Sequence, residues 1–74
     1  MGMSATKVER VISLPLISQV DADLTQACKR SELSATDIVN RAISLYEFLD
    51  SERAAGTQML LRRHDGATFV VDLI

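Results

Sequence analysis

The sequence predicts a small α+β fold: one short β-strand, two α-helices and a C-terminal β-hairpin, assembled as an intertwined homodimer. Three observations carry this reading. A period-two apolar pattern comes first, two stretches of helical period follow, and two apolar runs then flank His64-Asp65-Gly66. Assembly follows from size. The chain has 74 residues, 47% of them hydrophobic, and a domain this small buries only about 60% of the surface its unfolded chain exposes. The apolar excess needs another protein surface, and a symmetric second copy is the commonest one.

Residues 1–10 are expected to be a flexible arm, since Met1 to Thr6 are small and polar apart from two methionines. The main domain is expected over 11–56, and the hairpin over 57–74, packed on that domain or on a partner. In the strand, Ile12, Leu14 and Leu16 alternate with Val11, Ser13 and Pro15. Successive strand residues face opposite ways, so Ile12, Leu14 and Leu16 form the buried face. Pro15 has no N–H to donate and belongs at the end of the pairing or on its unpaired side.

Helix 1 is expected from about Gln19 to Ser31. Ser18 precedes Asp21 by three residues, a capping-box-like start, and Val20, Leu24, Ala27 and Cys28 share one helical face. Lys29 and Arg30 fall in the last turn, where cations suit the helix dipole. Helix 2 is expected from about Ala35 to Ala55. Ser34 and Asp37 repeat the capping spacing, and Gly56 is the stop. Ile38, Val39, Ala42, Ile43, Tyr46 and Leu49 mark its apolar stripe, widened by Leu45 and Phe48. A stripe this wide suits burial on two sides. The predicted dimer core is therefore Ile12, Leu14, Leu16, Ile38, Ala42, Ile43 and Tyr46.

The tail reads as two strands, Met59–Arg63 and Ala67–Ile74. A two-residue turn at Asp65-Gly66 mixes Arg62 with apolar neighbours. A three-residue turn with left-handed Gly66 places Met59 and Leu61 beside Phe69, Val71 and Leu73, and is preferred for its clean face. A lone hairpin is marginal in water, so this one is expected to pack against something.

Composition narrows the function. No run of about 18 apolar residues exists, so no membrane span is expected. Met1 to Arg10 lack the apolar core of a secretory signal. The single cysteine, Cys28, cannot form an internal disulfide and reads as a small hydrophobe in a cytoplasmic protein. No nucleophile–base pair, cleft carboxylate pair or Gly-rich phosphate loop is present, so neither an enzyme nor a cofactor is expected. His64 stands alone at a turn tip without spaced co-ligands, and no metal is expected. Arg62 and Arg63 read as a solvated basic cluster or a contact for DNA or an acidic partner. The net charge of −2 argues against a generic nucleic-acid coat and leaves room for a focused basic face.

Val11-Ile12-Ser13-Leu14-Pro15-Leu16, the apolar positions Val20, Leu24 and Ala27, and Ser34-Ala35-Thr36-Asp37 followed by Ile38-Val39-Asn40-Arg41-Ala42-Ile43 resemble the ribbon–helix–helix family of Arc/MetJ/CopG type. The likeness covers Val11 to about Leu49. It is similar to small actinobacterial members with an extra C-terminal β segment. The resemblance implies that two strands pair across a two-fold axis and that their outer face enters the DNA major groove. It places Val11, Ser13 and Pro15 on that base-facing side, and Ser34, Ala35 and Thr36 at a phosphate anchor on the start of helix 2. Lys7, Arg10 and Arg41 are candidate basic contacts. Base edges are read best by Arg, Lys, Asn and Gln, and of the three ribbon positions only Ser13 has a hydrogen-bonding side chain.

Two functions follow. The first is a dimeric binder of double-stranded DNA, a transcriptional regulator or antitoxin-like repressor as is common in the family. The second is a dimeric protein-interaction module of the same fold that engages a protein partner through its hairpin.

Overall fold

The computed structural model describes residues 7–72. It is α+β, with α1 over Ser18–Ser31, α2 over Ala35–Ala54, β1 over Met59–Arg62 and β2 over Thr68–Val71. The chain divides into two compact units, Met1–Arg41 and Ala42–Ile74.

In the first unit, residues 7–17 lie in neither helix nor strand. The strand expected over Val11–Leu16 is therefore not formed in the single chain. A strand exists only through N–H···O=C bonds with a neighbour, and the one sheet among the described residues pairs β1 with β2. Most of the expected arm, residues 1–6, lies outside the described residues.

Helix α1 starts one residue earlier than the cap spacing suggests. Ile17 is the N-cap residue, in extended conformation, and no side chain caps the helix. Ser18 is already helical, so its hydroxyl is not placed to act as the expected cap. The carbonyl of Ile17 instead accepts the first helical bond, from the Asp21 N–H at 2.9 Å. The end is better defined. Glu32 takes the left-handed conformation (φ 60°, ψ 22°), and its N–H donates to the Cys28 carbonyl. The Ser31 hydroxyl donates to the Ala27 carbonyl at 2.7 Å and accepts the Leu33 N–H at 3.2 Å. Leu24, Ala27, Cys28, Leu33 and Ile38 are the half-buried residues of this unit. They are the apolar face of α1, the turn, and the first apolar position of α2.

In the second unit, α2 closes as its sequence requires. Gly56 has φ +91°, its N–H donates to the Arg53 carbonyl, and the Thr57 N–H donates to the Glu52 carbonyl, each at 3.0 Å. That pair of bonds is the Schellman arrangement, which needs a left-handed residue just past the helix. Side chains reinforce it. The Thr57 hydroxyl donates to Glu52 Oε1 at 3.0 Å, and Arg53 pairs with Asp50 at 2.7 Å. The Asp50 carboxylate, by hydrogen bond and charge, raises the Arg53 pKa.

The hairpin takes the three-residue turn. Met59 faces Val71, Leu60 faces Val70, Leu61 faces Phe69 and Arg62 faces Thr68. The Arg63 N–H donates to the Ala67 carbonyl at 2.7 Å, the Gly66 N–H donates to the Arg63 carbonyl at 2.9 Å, and Gly66 has φ +95°. Asp65 Oδ1 accepts the Ala67 N–H at 2.9 Å and stiffens the turn. Met59, Leu61, Phe69 and Val71 thus share one face. Both strands stop short of their expected ends, and Leu73 and Ile74 lie outside the described residues.

No described side chain is fully buried, so the expected dimer core is not buried within one chain. Leu14 is 64% exposed and Ile43 55%. Ile12, Leu16, Ala42 and Tyr46 are also exposed, and Ile38 is half-buried.

Candidate nucleic-acid interface

The best-formed local feature among the expected site residues is the start of α2. Ser34 Oγ accepts the Asp37 N–H at 3.1 Å, and the Ser34 carbonyl accepts the Ile38 N–H at 3.0 Å. This is an N-cap, and it forms because serine's short hydroxyl reaches the third N–H of the first turn. The N–H groups of Ala35 and Thr36 remain without intrahelical acceptors, as the first turn of any helix leaves them. Ala35 carries only a methyl and Thr36 only a small hydroxyl, and both residues are exposed. An anion can therefore approach the backbone. Asn40 donates its Nδ2 to the Thr36 carbonyl at 2.7 Å, which ties the second turn to the first.

Charge around this start is mixed. Asp37 is in the first turn and suits the helix dipole, yet it also repels a bound anion. Arg41 lies nearly two turns after Ser34 and is exposed, with no ion pair to it among the described residues. Lys29 and Arg30 close α1 and are exposed. Over residues 1–41 the cations Lys7, Arg10, Lys29, Arg30 and Arg41 balance the anions Glu9, Asp21, Asp23, Glu32 and Asp37. The whole excess of −2 lies in the later part, where Glu47, Asp50, Glu52, Asp65 and Asp72 outnumber Arg53, Arg62 and Arg63. The negative net charge thus leaves the anchor's own unit neutral.

The expected anchor residues Ser34, Ala35 and Thr36 come together in one helical turn. The base-facing set does not come together as a strand: Val11, Ser13 and Pro15 sit on the irregular segment and are exposed. Lys7 lies 3.7 Å from Glu9 with both side chains nearly bare. An ion pair this exposed is worth little and yields readily to another anion. Sequence reasoning missed this pair and the Asn40 brace, although the Thr36–Asn40 spacing of four is a legible signal for the latter. Among the described residues no cluster of His, Cys, Asp and Glu is arranged for a metal, and no helix is long and apolar enough to cross a membrane.

The cap itself can be weighed. Replacing Ser34 with Ala removes the bond to the Asp37 N–H, and the expected loss is about 1 kcal/mol. Chemical denaturation reads it, and an unchanged midpoint would mean that the cap contributes nothing to stability.

Compared with known proteins, the chain matches no family model, no curated protein and no solved structure.

Proposed function

We propose that the protein is a dimeric DNA-binding protein of ribbon–helix–helix type, acting in the cytoplasm as a transcriptional regulator or antitoxin-like repressor. The observation that carries this is the capped start of α2, where Ser34 fixes the turn and the small residues Ala35 and Thr36 leave two backbone donors open to a phosphate. In this reading the segment Val11–Leu16 becomes a strand on pairing with its counterpart. Ile12, Leu14 and Leu16 then turn inward over the exposed stripe of α2, and Val11, Ser13 and Pro15 turn out toward the major groove. Lys7, Arg10 and Arg41 supply phosphate contacts around the anchor.

Phosphate contacts position a protein, and base contacts specify the sequence. With Ser13 as the one hydrogen-bonding base reader, discrimination rests largely on DNA shape. Binding should therefore be modest and steep in salt. In a salt-titrated gel shift against mixed duplex DNA, the logarithm of affinity should fall linearly with the logarithm of salt, with a slope of about −5 if Lys7, Arg10 and Arg41 of both copies each neutralise a phosphate. A flat salt response, or no shift at low salt, contradicts the proposal.

A second reading is favoured by the hairpin, where Leu60, Leu61, Phe69 and Val70 are all exposed. Such a surface suits a dimeric protein-interaction module that engages a protein partner there. Failure of the salt titration would make this reading the leading one.

A further inference from the structure

The hairpin carries a pattern that one chain does not use. Among the described residues its two strands form the whole sheet, so each has an open edge. A two-stranded sheet is marginal in water, and three or more strands with an apolar face are needed for independent stability. The two edges differ. The edge of β1 includes Arg62, and a charge on an edge discourages pairing, whereas β2 is Thr68-Phe69-Val70-Val71, uncharged and rich in β-formers.

We infer that β2 pairs with β2 of a second copy, antiparallel about a two-fold axis at Val70, to make a four-stranded sheet. The observed register sets which groups are available. The bond from Arg63 to Ala67 fixes the alternation. Leu61 and Phe69 form a hydrogen-bonded pair, and Thr68 and Val70 direct their N–H and C=O outward to the open edge. An axis at Val70 sets Val70 against Val70 of the second copy and Thr68 against Asp72 of the second copy, with backbone bonds at each.

The rows this builds are matched in chemistry. One face has a central apolar row, Leu60, Val70 and their two counterparts. It is flanked by rows in which Arg62 and Thr68 continue into Asp72 and Gln58 of the second copy. Arg62 and that Asp72 stand two strand spacings apart, about 9–10 Å, a span the long arginine side chain covers by lying over Thr68. The two-fold axis makes this complementary pair twice. The other face is apolar in both rows, from Met59, Leu61, Phe69 and Val71 of each copy. Arg63, held 5.0 Å from the Phe69 ring centroid, borders that face at the turn end. Moving the axis to Phe69 sets Thr68 against Val70, and moving it to Val71 sets Val70 against Asp72. Either shift mixes charged with apolar rows, so the Val70 axis is selected. The pairing uses the hairpin alone and does not rest on DNA binding.

The test is disulfide trapping of the full chain with Cys28→Ser, comparing Val70→Cys with Leu60→Cys under mild oxidation. A hydrogen-bonded antiparallel pair has Cα atoms about 5.5 Å apart, inside the disulfide range. The two copies of residue 60 would lie three strand spacings apart, about 14 Å, well outside it. Val70→Cys should form a covalent dimer at least about tenfold faster than Leu60→Cys on this geometry. Equal rates, no trapping of Val70→Cys, or faster trapping of Leu60→Cys would overturn the inference. Charge reversal gives an independent reading that does not alter the Val70 contact. In the Val70→Cys chain, Arg62→Asp or Asp72→Arg alone should slow trapping, and the two together should restore it. A double variant as slow as the singles would overturn the register.

Discussion

Leu14→Ala is expected to cost about 2–5 kcal/mol of stability, the usual range for truncating a buried aliphatic side chain. The expectation is sharp because Leu14 is 64% exposed in the single chain, where truncation would change almost nothing. A large loss can arise only if a second chain covers it. Leu14 is the middle of the three positions of Val11–Leu16 expected to face inward, so it should meet the most cover when two strands pair. Ile43, 55% exposed on the stripe of α2, should respond similarly. Denaturant titration at fixed chain concentration checks both. A loss below about 0.5 kcal/mol for Leu14→Ala, the size of an ordinary surface substitution, would mean that the ribbon does not form.

Ala35→Glu is expected to abolish DNA binding while leaving the protein folded. The carboxylate would stand where the phosphate approaches the Ala35 and Thr36 N–H groups. Two like charges 4 Å apart near a protein surface repel by about 4 kcal/mol, roughly a thousandfold in affinity, before salt screening reduces it. The same charge is favourable to the helix itself, since an acidic side chain in the first turn suits the dipole. Loss of binding with the same unfolding midpoint is thus the signature of an anion site. Ala35→Gln controls for size and should keep most of the affinity. If Ala35→Glu binds as tightly as the parent at matched salt, phosphate does not sit at the start of α2.

The parts of this molecule that were legible in its sequence are those decided within a few residues. Ser34 caps α2 because its hydroxyl needs only the N–H three positions on. Gly56 and Gly66 mark turns because left-handed backbone conformations at these positions suit glycine. The hairpin register was legible because a slip by one residue would have thrown Arg62 onto the face of Phe69 and Val71. Ser18 misled because the same spacing to an acid recurs there, while the chain enters the helix one residue earlier, at Ile17. The segment Val11–Leu16 is a different case. Its alternation states which side is apolar, but a strand is a property of two segments, and among the described residues no second segment pairs with this one. The base-facing positions share that limit, since their orientation depends on the same pairing.

The proposed ribbon requires two chains folding together. Light scattering at micromolar concentration, with the helix signal monitored in the same sample, addresses this most directly. A folded obligate dimer should scatter as twice the 8.1 kDa chain, and dilution should lose mass and helix together, because folding and association are one event. A helical, cooperatively folded species that persists at 8.1 kDa would contradict the dimer, and with it the ribbon.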